Sequence, residues 1–498
     1  MRNIPHVAII GAGVGGLTTA ALLAQAGYRV SVFEAQTYPG GSASTFTHKG
    51  YRFDSGATVA GGFQQNGPHA VLGRMLNINW PVYQHDPAWI VHLPDRVVRM
   101  CQDNEDVLAK FPTSERFWQK QRSIAYLAWQ MSAEGLPWPP QDLAELLQLT
   151  QVGWRHFPQD VRLAPYALQS VYERLRHLAL HYDPVFVRFL DASLLISAQA
   201  TSKRVNALYG ATALDLTRQG VYHVEGGIGN IAQTLADKVC ELGGQIYYRH
   251  FVTRIAIENG RALGVYAKKG RRATQNVLFP ADFVVANTTP WSLESLLGEQ
   301  APRSLKREIQ GREATYGAFV LHLGVRADGL PQDTADHHQI IRTIDGPMGE
   351  GETLFLSMSP EWDTARAPDG MRAVTVSTHT RIDRWWRLLE TDYQAYQNAK
   401  HKMAETIISR IDEVIPGFKA ATELILPGSP VTYEFYTLRQ QGMVGGFPQT
   451  SLFGARGPRT GIANLRLVGD SIFPGQSTAA VTLGGIRVAN DVMRHLRF

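Results

Sequence analysis

Three glycines and one glutamate near the start of the sequence have the types and spacing of a dinucleotide-binding loop. Gly11, Gly13 and Gly16 follow an apolar run, and Glu34 comes roughly 20 residues later. In this pattern the first glycine makes a tight turn, the second lets the backbone approach a pyrophosphate, and the third lets helix and strand pack closely. The helix start favours negative charge, and Glu34 can accept hydrogen bonds from a ribose diol. We therefore predict dinucleotide binding, and the lack of an adjacent arginine for a 2′-phosphate favours FAD or NAD over NADP.

A second glycine-bearing turn lies near the other end of the sequence. Gly469 and Asp470 follow an apolar run, and Pro474 to Thr478 lead into a helix-like pattern. One dinucleotide needs a single pyrophosphate loop, so we assign this turn to another part of the same ligand. FAD has two such ends, because N–H groups at a helix start can also stabilise the negative charge of a reduced flavin. FAD is therefore the predicted cofactor, with Asp470 placed to bind a ribityl hydroxyl.

The elements that must position these loops have the pattern of an α/β domain. Residues 7–10 form an apolar run typical of a parallel strand that is buried on both faces. Small and apolar residues then suit a helix packed on a sheet, and Glu34 ends the next predicted strand. Similar patterns recur near residues 226–244, 283–287 and 465–490. The nucleotide-binding domain is therefore predicted to be discontinuous and to comprise residues 1–84, 215–290 and 455–498.

Two other regions complete the predicted organisation. Residues 291–454 contain short runs in which apolar and polar residues partly alternate, and this predicts a sheet that serves as a substrate platform. Within this region, aromatic and aliphatic residues recur at helical spacing and predict one helix. The stripe consists of Trp386, Leu389, Tyr393, Tyr396, Met403, Ile407 and Ile411. Residues 85–214 are rich in tryptophan and in helix-like patterns, which predicts a helical region.

Tryptophans in the helical region lie close in sequence to basic residues. They are Trp118, Trp129, Trp138 and Trp154, near Lys120, Arg122 and Arg155. A tryptophan beside a lysine or arginine suits a membrane–water interface, but an ordinary helical subdomain would use the same rings in its core. Residues 7–28 carry no charge but are interrupted by glycines, so we expect buried structure there, not a signal peptide or a membrane span. Any membrane contact should then be peripheral.

The overall composition narrows the classes of partner and site. The 498 residues include 49 basic and 44 acidic side chains, a net charge of +5, without a long block of like charges. This balance gives little support for a nucleic-acid partner and is compatible with an anionic membrane surface. Cys101 and Cys240 are the only cysteines, and their spacing suits neither a disulfide framework nor a zinc site. We therefore predict no metal, no nucleic acid and a reducing compartment.

Several motifs, in order along nearly the whole chain, resemble those of the carotenoid oxidoreductases. This family includes bacterial-type phytoene desaturases, carotene cis–trans isomerases and C-3′,4′ desaturases. The motifs are GAGVGG, PGGSAST, GYRFDSGAT, VEGGIGNIAQTLA, PEWDTARAPDG with VSTHT, and VGDSIFPGQSTAAVTLGGIRVAN. The form GDSxFPGQ resembles the isomerase and late-desaturase branch, and SGATVAGGFQQNGPH resembles the C-3′,4′ desaturase of cyanobacterial type.

With this resemblance, the predicted fold class is α/β. A discontinuous Rossmann-like FAD-binding domain would carry an inserted mixed-sheet substrate domain and a helical, membrane-facing subdomain. The resemblance implies ten FAD-binding positions, among which Val252 would contact adenine through its backbone. They are Gly11, Gly13, Gly16, Glu34, Gly41, Ser42, Val252, Gly469, Asp470 and Thr478. Many amine oxidases have an arginine where Ser42 stands, which disfavours that branch.

The resemblance also implies the activity of a carotenoid desaturase. Hydride would leave an allylic C–H, a proton would leave the neighbouring carbon, and an apolar polyene would gain one double bond. Asp54, His69 and Glu434 are candidates for the proton step, but each is also explained as a structural residue, so no catalytic residue is assigned. The implied partners are a carotenoid or other polyene lipid, a membrane surface, and an electron acceptor such as quinone or oxygen. The expected location is the cytoplasmic side of a membrane, with peripheral association.

The sequence leaves several alternative functions open. A redox-neutral carotenoid cis–trans isomerase would use the same cofactor and leave the mass of the polyene unchanged. A non-catalytic prenyl-lipid carrier, similar to the prenyl-protein dissociation inhibitors, would use the scaffold to hold lipid, although the presence of both loops disfavours it. An amine oxidase or a soluble NAD-dependent enzyme is a further alternative.

Overall fold

The computed structural model describes residues 4–312 and 316–496 of the chain. Over these residues the strands are β1 (His6–Ile10), β2 (Arg29–Phe33), β3 (Thr45–His48), β4 (Tyr51–Asp54), β5 (Val82–His85), β6 (Trp89–His92), β7 (Val97–Met100), β8 (Val221–Val224), β9 (Gln245–Tyr247), β10 (His250–Glu258), β11 (Arg261–Lys269), β12 (Val277–Pro280), β13 (Phe283–Ala286), β14 (Tyr316–Arg326), β15 (His337–Ile341), β16 (Thr353–Met358), β17 (Met371–Arg381), β18 (Thr422–Gly428) and β19 (Leu465–Leu467). The helices are α1 (Val14–Gln25), α2 (Pro68–Leu76), α3 (Glu105–Lys110), α4 (Glu115–Ala133), α5 (Leu143–His156), α6 (Ala164–Ala167), α7 (Val171–His177), α8 (Pro184–Ala198), α9 (Ala207–Leu214), α10 (Leu216–Gln219), α11 (Gly229–Glu241), α12 (Pro290–Leu297), α13 (Arg303–Gln310), α14 (Ile382–Thr391), α15 (Tyr393–Asp412), α16 (Phe418–Ala421), α17 (Pro430–Thr437) and α18 (Thr478–His495).

A five-stranded parallel sheet forms the centre of the nucleotide-binding part, in the order β19-β13-β1-β2-β9. Every residue of β1 and β13 is buried, as continuous apolar runs predict for a parallel sheet that is covered on both faces. Helices α1, α11 and α18 contribute to the same hydrophobic core. Because the strands are parallel, the carboxyl ends of β1, β2 and β19 lie at one edge of the sheet, where their loops can share a ligand.

The second large element is a seven-stranded mixed sheet in the order β18-β14-β17-β16-β15-β6-β7. Its neighbours pair antiparallel except for β15 and β6, which are parallel. Strands β6 and β7 come from residues 89–100, which we predicted as part of the helical region 85–214, so that boundary is corrected. Each of these strands has only four residues, too few for the sequence pattern to separate a strand from a helix.

The stripe predicted as one helix from Trp386 to Ile411 is two helices, α14 and α15. Asp392 separates them in an extended conformation, and its carboxylate accepts a hydrogen bond from the N–H of Ala395 at 2.9 Å. An aspartate in this position satisfies one of the free N–H groups at the start of the second helix. The interruption also changes which residues face the core, because Trp385 is fully buried whereas Tyr393 is exposed.

The tryptophans of the helical part have different environments. Trp118 belongs to the core of this part, and Trp154 is exposed to solvent. Trp129 and Trp138 are half-buried, and the indole N–H of Trp138 donates to a backbone carbonyl at 2.8 Å. The core explanation therefore holds for Trp118, and a membrane interface stays a prediction for the exposed Trp154. None of the helices within residues 4–312 and 316–496 is long and apolar enough to cross a bilayer.

Candidate cofactor and substrate site

A cavity of about 1460 Å³ brings together the residues that the sequence predicts for the cofactor, at the carboxyl ends of β1, β2 and β19. The predicted residues that line it are Gly11, Gly13, Glu34, Gly41, Ser42, Val252, Gly469, Asp470 and Thr478. The tenth, Gly16, lies behind the loop against the backbone of Gly11. The two glycine-bearing turns from opposite ends of the chain thus face one cavity, while their individual contacts with the cofactor stay predictions.

The first loop depends on glycine at two positions. Gly11 has a φ of +91°, which side chains of L-residues rarely allow. A Cβ atom on Gly16 would lie 2.5 Å from the carbonyl oxygen of Gly11, so a side chain there would push α1 away from β1. The N-terminus of α1 follows Gly13, which has no side chain to cap the free N–H groups. These N–H groups are therefore available to a pyrophosphate.

Asn287 supports this loop, and the sequence analysis did not identify its role. It follows β13 directly, and its side-chain amide donates to the carbonyl of Gly11 at 3.2 Å. A Cβ atom on Gly13 would lie 2.7 Å from the same amide nitrogen. The residue thus fills the space that the glycines leave open. The sequence feature that could have identified Asn287 is its position directly after a buried parallel strand, because ligand sites of α/β sheets lie at such strand ends.

Glu34 is held in place by the backbone around it. Its carboxylate accepts hydrogen bonds from the N–H groups of Ala12 and Gln36, both at 2.8 Å. Burial raises the pKa of this carboxyl above its usual value, and the backbone hydrogen bonds oppose that shift. Because a carboxylate has about four acceptor positions, Glu34 can still accept hydrogen bonds from ribose hydroxyls at the cavity wall.

The wall beside Glu34 is suited to the base of a nucleotide. Val252 on β10 and Leu296 on α12 both line the cavity there, together with the side chain of His250. This combination gives a mainly apolar surface next to an acid. The predicted contact between Val252 and adenine agrees with this placement and stays a prediction.

The second glycine pair, Gly40 and Gly41, lies against the first loop. The N–H of Gly40 donates to the carbonyl of Ala12 at 2.8 Å, and Gly40 forms an isolated parallel bridge with Gly13. Ser42 continues along the cavity wall. The doublet therefore lies beside the position predicted for the diphosphate, as the resemblance implies.

The turn near the end of the chain presents a second helix N-terminus to the cavity. Helix α18 begins at Thr478, and the hydroxyl of Ser477 accepts a hydrogen bond from the N–H of Ala480 at 3.2 Å. Ser477 and Thr478 both line the cavity. Since only one of the first N–H groups is capped by this side chain, the others remain for a ligand. This is the arrangement predicted for the flavin end.

Asp470 has a partner that the sequence analysis missed. Its carboxylate lies 2.9 Å from the guanidinium of Arg439, and both side chains are largely buried. Arg439 also donates to the carbonyls of Met443 and Gly445. The ion pair fixes the orientation of Asp470 at the cavity wall, and the predicted contact with a ribityl hydroxyl would use its remaining lone pairs. No sequence signal connects residues 439 and 470.

The three candidates for the proton step differ in position. Asp54 does not line the cavity and is engaged by Arg366 at 3.0 Å and by the N–H of Ile228 at 3.0 Å. His69 is fully buried away from the cavity, and burial lowers its pKa to about 3. Glu434 alone of the three lines the cavity, and burial raises the pKa of its carboxyl. The structure therefore assigns Asp54 and His69 to the framework of the fold.

The cofactor cavity borders an apolar space in the helical part. Val59, Ile196, Leu216 and Phe355 line the large cavity and also a smaller one of about 50 Å³. The smaller cavity is further lined by Trp89, Met100, Trp118 and Phe189. The two cavities thus share an apolar wall, which lies between the cofactor cavity and the core of the helical part.

These residues fit FAD. The starts of α1 and of the Gly40-Gly41 turn would hold its diphosphate, Glu34 its ribose, and the start of α18 its flavin ring. Each predicted part of the ligand thus meets a group of suitable chemistry on one cavity wall. If the ligand were NAD, the second helix N-terminus and the Gly40-Gly41 doublet would have no ligand group to contact.

Comparisons with known proteins agree with this assignment. The model of the family described as flavin containing amine oxidoreductase matches residues 14–493. The chain is 29% identical to the chloroplastic prolycopene isomerase of Arabidopsis thaliana over 502 residues, which cover 97% of this chain and 82% of that protein. It is 26% identical to a 4,4′-diapophytoene desaturase (4,4′-diapolycopene-forming) of Methylomonas sp over 443 residues, which cover 82% of this chain and 80% of that protein.

The fold has counterparts among solved structures. Cyclohexylamine oxidase from Brevibacterium oxydans is similar with a TM-score of 0.61 and 15% sequence identity, covering 100% of both chains. This likeness shows a shared fold. Together the comparisons confirm the α/β fold class, the resemblance to carotenoid oxidoreductases, and FAD as the cofactor of an oxidoreductase. The C-3′,4′ branch stays a prediction.

Proposed function

The chain belongs to the family of flavin-containing amine oxidoreductases, and we propose that it is a carotenoid desaturase of the C-3′,4′ type. A hydride and a proton are removed from neighbouring carbons of an apolar polyene, which gains one conjugated double bond. The relatives support a carotenoid substrate, because their names describe carotenoid isomerases and desaturases. Such a substrate is dissolved in lipid, so we expect peripheral association with a membrane on its cytoplasmic side.

The observation that carries this proposal is the apolar wall that the large cofactor cavity shares with the smaller cavity of the helical part. Val59, Leu216 and Phe355 line both cavities, so an apolar ligand in the large cavity would lie against apolar side chains that extend to the core of the helical part. Burying apolar surface is favourable by about 25 cal/mol per Å², and a polyene consists of such surface along its length. A small polar amine would leave these walls without a partner.

The stretch that resembles the C-3′,4′ desaturases contacts the start of α18, where we expect the flavin ring. A Cβ atom on Gly62 would lie 2.7 Å from the Cβ of Ala479, which belongs to the first turn of α18. The loop that contains Gly62 therefore touches the helix start that faces the cavity. This contact supports a role for the loop in determining which bond of the polyene is presented for reaction.

When bound, FAD supplies an acceptor for the hydride. The residues of the chain bind and orient the ligands and exclude water. N–H groups at the start of α18 provide positive potential, the ion pair with Arg439 holds Asp470 at the cavity wall, and the apolar walls keep water from the polyene. Glu434 is the proposed residue to take up the proton, because burial makes its carboxylate more basic. A quinone or oxygen is the proposed electron acceptor that completes the cycle.

A second candidate function is carotenoid cis–trans isomerisation. The similarity to a prolycopene isomerase extends over 97% of this chain, and an isomerase would need the same cavity and cofactor. The two functions differ in their electron balance. Isomerisation has no net transfer of electrons and needs no external electron acceptor, whereas desaturation needs one.

The test is expression in cells that accumulate carotenoids, followed by mass spectrometry and absorption spectra of the pigments. Desaturation is expected to lower the pigment mass by two hydrogens and to move the absorption to longer wavelength. An unchanged mass with a changed isomer pattern would establish the second candidate in its place, and unchanged pigments would refute both.

Two variants control this experiment. Gly13→Val places a side chain where Asn287 meets the loop, beside the predicted position of the pyrophosphate, so FAD and pigment conversion should both be lost. Gly484→Ala lies outside the cavity lining, and its new methyl group meets only the end of the Ile472 side chain at 3.3 Å. Conversion should therefore persist in Gly484→Ala.

A further inference from the structure

Five residues form the wall that the large cofactor cavity shares with the smaller cavity of the helical part. They are Val59, Ile196, Ser197, Leu216 and Phe355. None of them is among the ten predicted FAD positions, so this wall is available to a second ligand. Of the five, Phe355 has the largest side chain, and it is the one that belongs to the seven-stranded sheet. The position of its ring therefore governs how the two cavities are separated.

The pairing of strands places Phe355 between the two cavities. On β16, Phe355 lies opposite Ser377 of β17 on one side and opposite Gln339 of β15 on the other. Directly paired residues of neighbouring strands point to the same face of a sheet, so the three side chains form a row across it. Ser377 lines the large cavity, and Gln339 lines the small one. The ring in the middle of this row is therefore the barrier between them.

Neighbouring rings hold Phe355 in this position. Its ring centroid lies 5.9 Å from that of Trp89 in a T-shaped arrangement, and 6.2 Å from that of His337 in a stacked one. Phe355 is buried and belongs to the hydrophobic core of the helical part. A ring that is packed on two sides cannot turn away without opening voids beside Trp89 and His337, which close-packed interiors disfavour. Phe355 is thus a fixed barrier.

The space behind Phe355 is suited to an apolar group. The small cavity has a volume of about 50 Å³, and its walls include Trp89, Met100, Trp118 and Phe189. Aromatic and thioether side chains offer dispersion contacts to a hydrocarbon. Removal of the ring of Phe355 would join this space to the large cavity. The fold therefore contains room for deeper entry of an apolar ligand, and Phe355 closes that room.

We propose that Phe355 limits how far a long apolar ligand enters the cavity. The end of the ligand stops against the ring and does not reach the small cavity beyond it. This limit does not depend on the reaction, but its consequence rests on the proposed function. A conjugated polyene is rigid, so the depth at which it stops decides which of its bonds lies at the start of α18. Phe355 is thereby a specificity-determining residue for the position of the new double bond.

The test locates a rigid apolar probe in crystals of the FAD-loaded protein. The probe is diphenylhexatriene with one iodine atom on each terminal ring, because iodine positions follow from anomalous scattering. In the wild-type protein the inner iodine should lie on the large-cavity side of Phe355. In Phe355→Ala it should move past residue 355 and lie among Met100, Trp118 and Phe189. The same iodine position in both proteins, or a wild-type cavity that takes up no probe, would overturn the proposal.

A pair of leucine variants provides the matched control. Phe319 is fully buried in the same sheet as Phe355, but it packs on the ring of Trp385 and lines neither cavity. Phe355→Leu and Phe319→Leu both lose a buried ring, so a deeper iodine in Phe355→Leu alone separates a barrier from a general loss of packing. Phe355→Leu also keeps the test decisive if Phe355→Ala does not fold. Flavin absorbance and a melting curve show which variants are folded.

A titration in solution measures the same barrier without crystals. Unsubstituted diphenylhexatriene fluoresces when it leaves water for an apolar site, so its affinity for the FAD-loaded protein is read directly. Phe355→Ala should bind it about tenfold more tightly than the wild type, because two more carbon atoms are buried beyond residue 355. Phe355→Trp, which has a larger ring, should bind it more weakly than the wild type. Equal affinities in the three proteins would overturn the proposal.

Pigment analysis tests the consequence for the reaction. In cells that accumulate carotenoids, Phe355→Leu should place the new double bond further from the end of the polyene that enters the cavity, whereas Phe319→Leu should form the wild-type product. A deeper probe with an unchanged product would overturn the role in specificity. Deeper binding in Phe355→Leu without any pigment conversion by the wild type would refute the proposed function and support the barrier. Conversion by the wild type with one probe position in all variants would do the reverse.

Discussion

Gly485 lies where α18 packs against α1, and its replacement by alanine should destabilise the protein. A Cβ atom there would lie 2.7 Å from the carbonyl oxygen of Gly15 and 2.8 Å from the Cβ of Thr18. Both neighbours belong to α1, so one helix must move. Overpacking of this kind lowers the free energy of unfolding by about 1 to 3 kcal/mol. The higher helix propensity of alanine than of glycine raises it by about 1 kcal/mol.

The adjacent Gly484 provides a matched control. Its added Cβ would meet the Cδ1 atom of Ile472 at 3.3 Å, the end of a side chain that can adjust. Both alanine variants gain the same helix propensity, so this contribution cancels when they are compared. The free energy of unfolding should therefore be lower in Gly485→Ala than in Gly484→Ala by about 1 to 3 kcal/mol.

The assay combines urea denaturation of the two apoproteins with titration of FAD, followed by quenching of flavin fluorescence. The N-terminus of α1 is the predicted binding position of the pyrophosphate, and Gly15 lies in its first turn, so a displaced α1 should also weaken FAD binding in Gly485→Ala. Gly484→Ala should bind FAD as the wild type does. Equal urea midpoints and equal FAD affinities in the two variants would show that the helices are not packed as closely as described.

Three further predictions concern the fold and the cofactor. Glu34→Gln replaces one charged acceptor that serves two backbone N–H groups, so FAD affinity should fall by about 10- to 100-fold, corresponding to about 1.5 to 3 kcal/mol; an unchanged dissociation constant in FAD titrations would contradict this. Burial lowers the pKa of His69, His322 and His338 from 6.5 to about 3, so these residues stay neutral when folded but take up protons below pH 6.5 when unfolded. Stability should therefore fall between pH 7 and pH 5, by about 2 kcal/mol per histidine at pH 5, and urea midpoints that do not change over this range would argue against it. Asp392→Ala removes the cap of α15 and should cost about 1 kcal/mol, measurable in the same urea titrations; an equal midpoint would mean that the cap contributes nothing.

The parts of the site that sequence could predict are those with a local pattern. The spacing of Gly11, Gly13 and Gly16 and the turn at Gly469 each encode a backbone shape within a few residues, so both loops were found. Asn287 and Arg439 were missed because each acts on a partner far away in sequence, Gly11 in one case and Asp470 in the other. A single residue that makes a long-range contact produces no periodic pattern in the sequence from which the contact could be predicted.

The same distinction explains the errors in the fold. Continuous apolar runs predicted β1 and β13 because a strand buried on both faces has a clear composition. Strands β6 and β7 are too short for any period to be visible. The division between α14 and α15 had a local signal, the N-capping aspartate Asp392, but the apolar spacing on both sides suggested one uninterrupted helix.

The wide separation of strands in the central sheet governs how the protein can be made. Strand β1 emerges from the ribosome early, but its sheet lacks β19 and the covering helix α18 until about 460 more residues are synthesised, which takes about 20 to 90 s. In the last part of that interval, after β13 has been made and for about 180 residues or about 9 to 36 s until β19 follows, the free edge of β13 is open to pairing with other nascent chains. The polypeptide should therefore depend on chaperones while it is translated, and it can capture its flavin only after translation is almost complete.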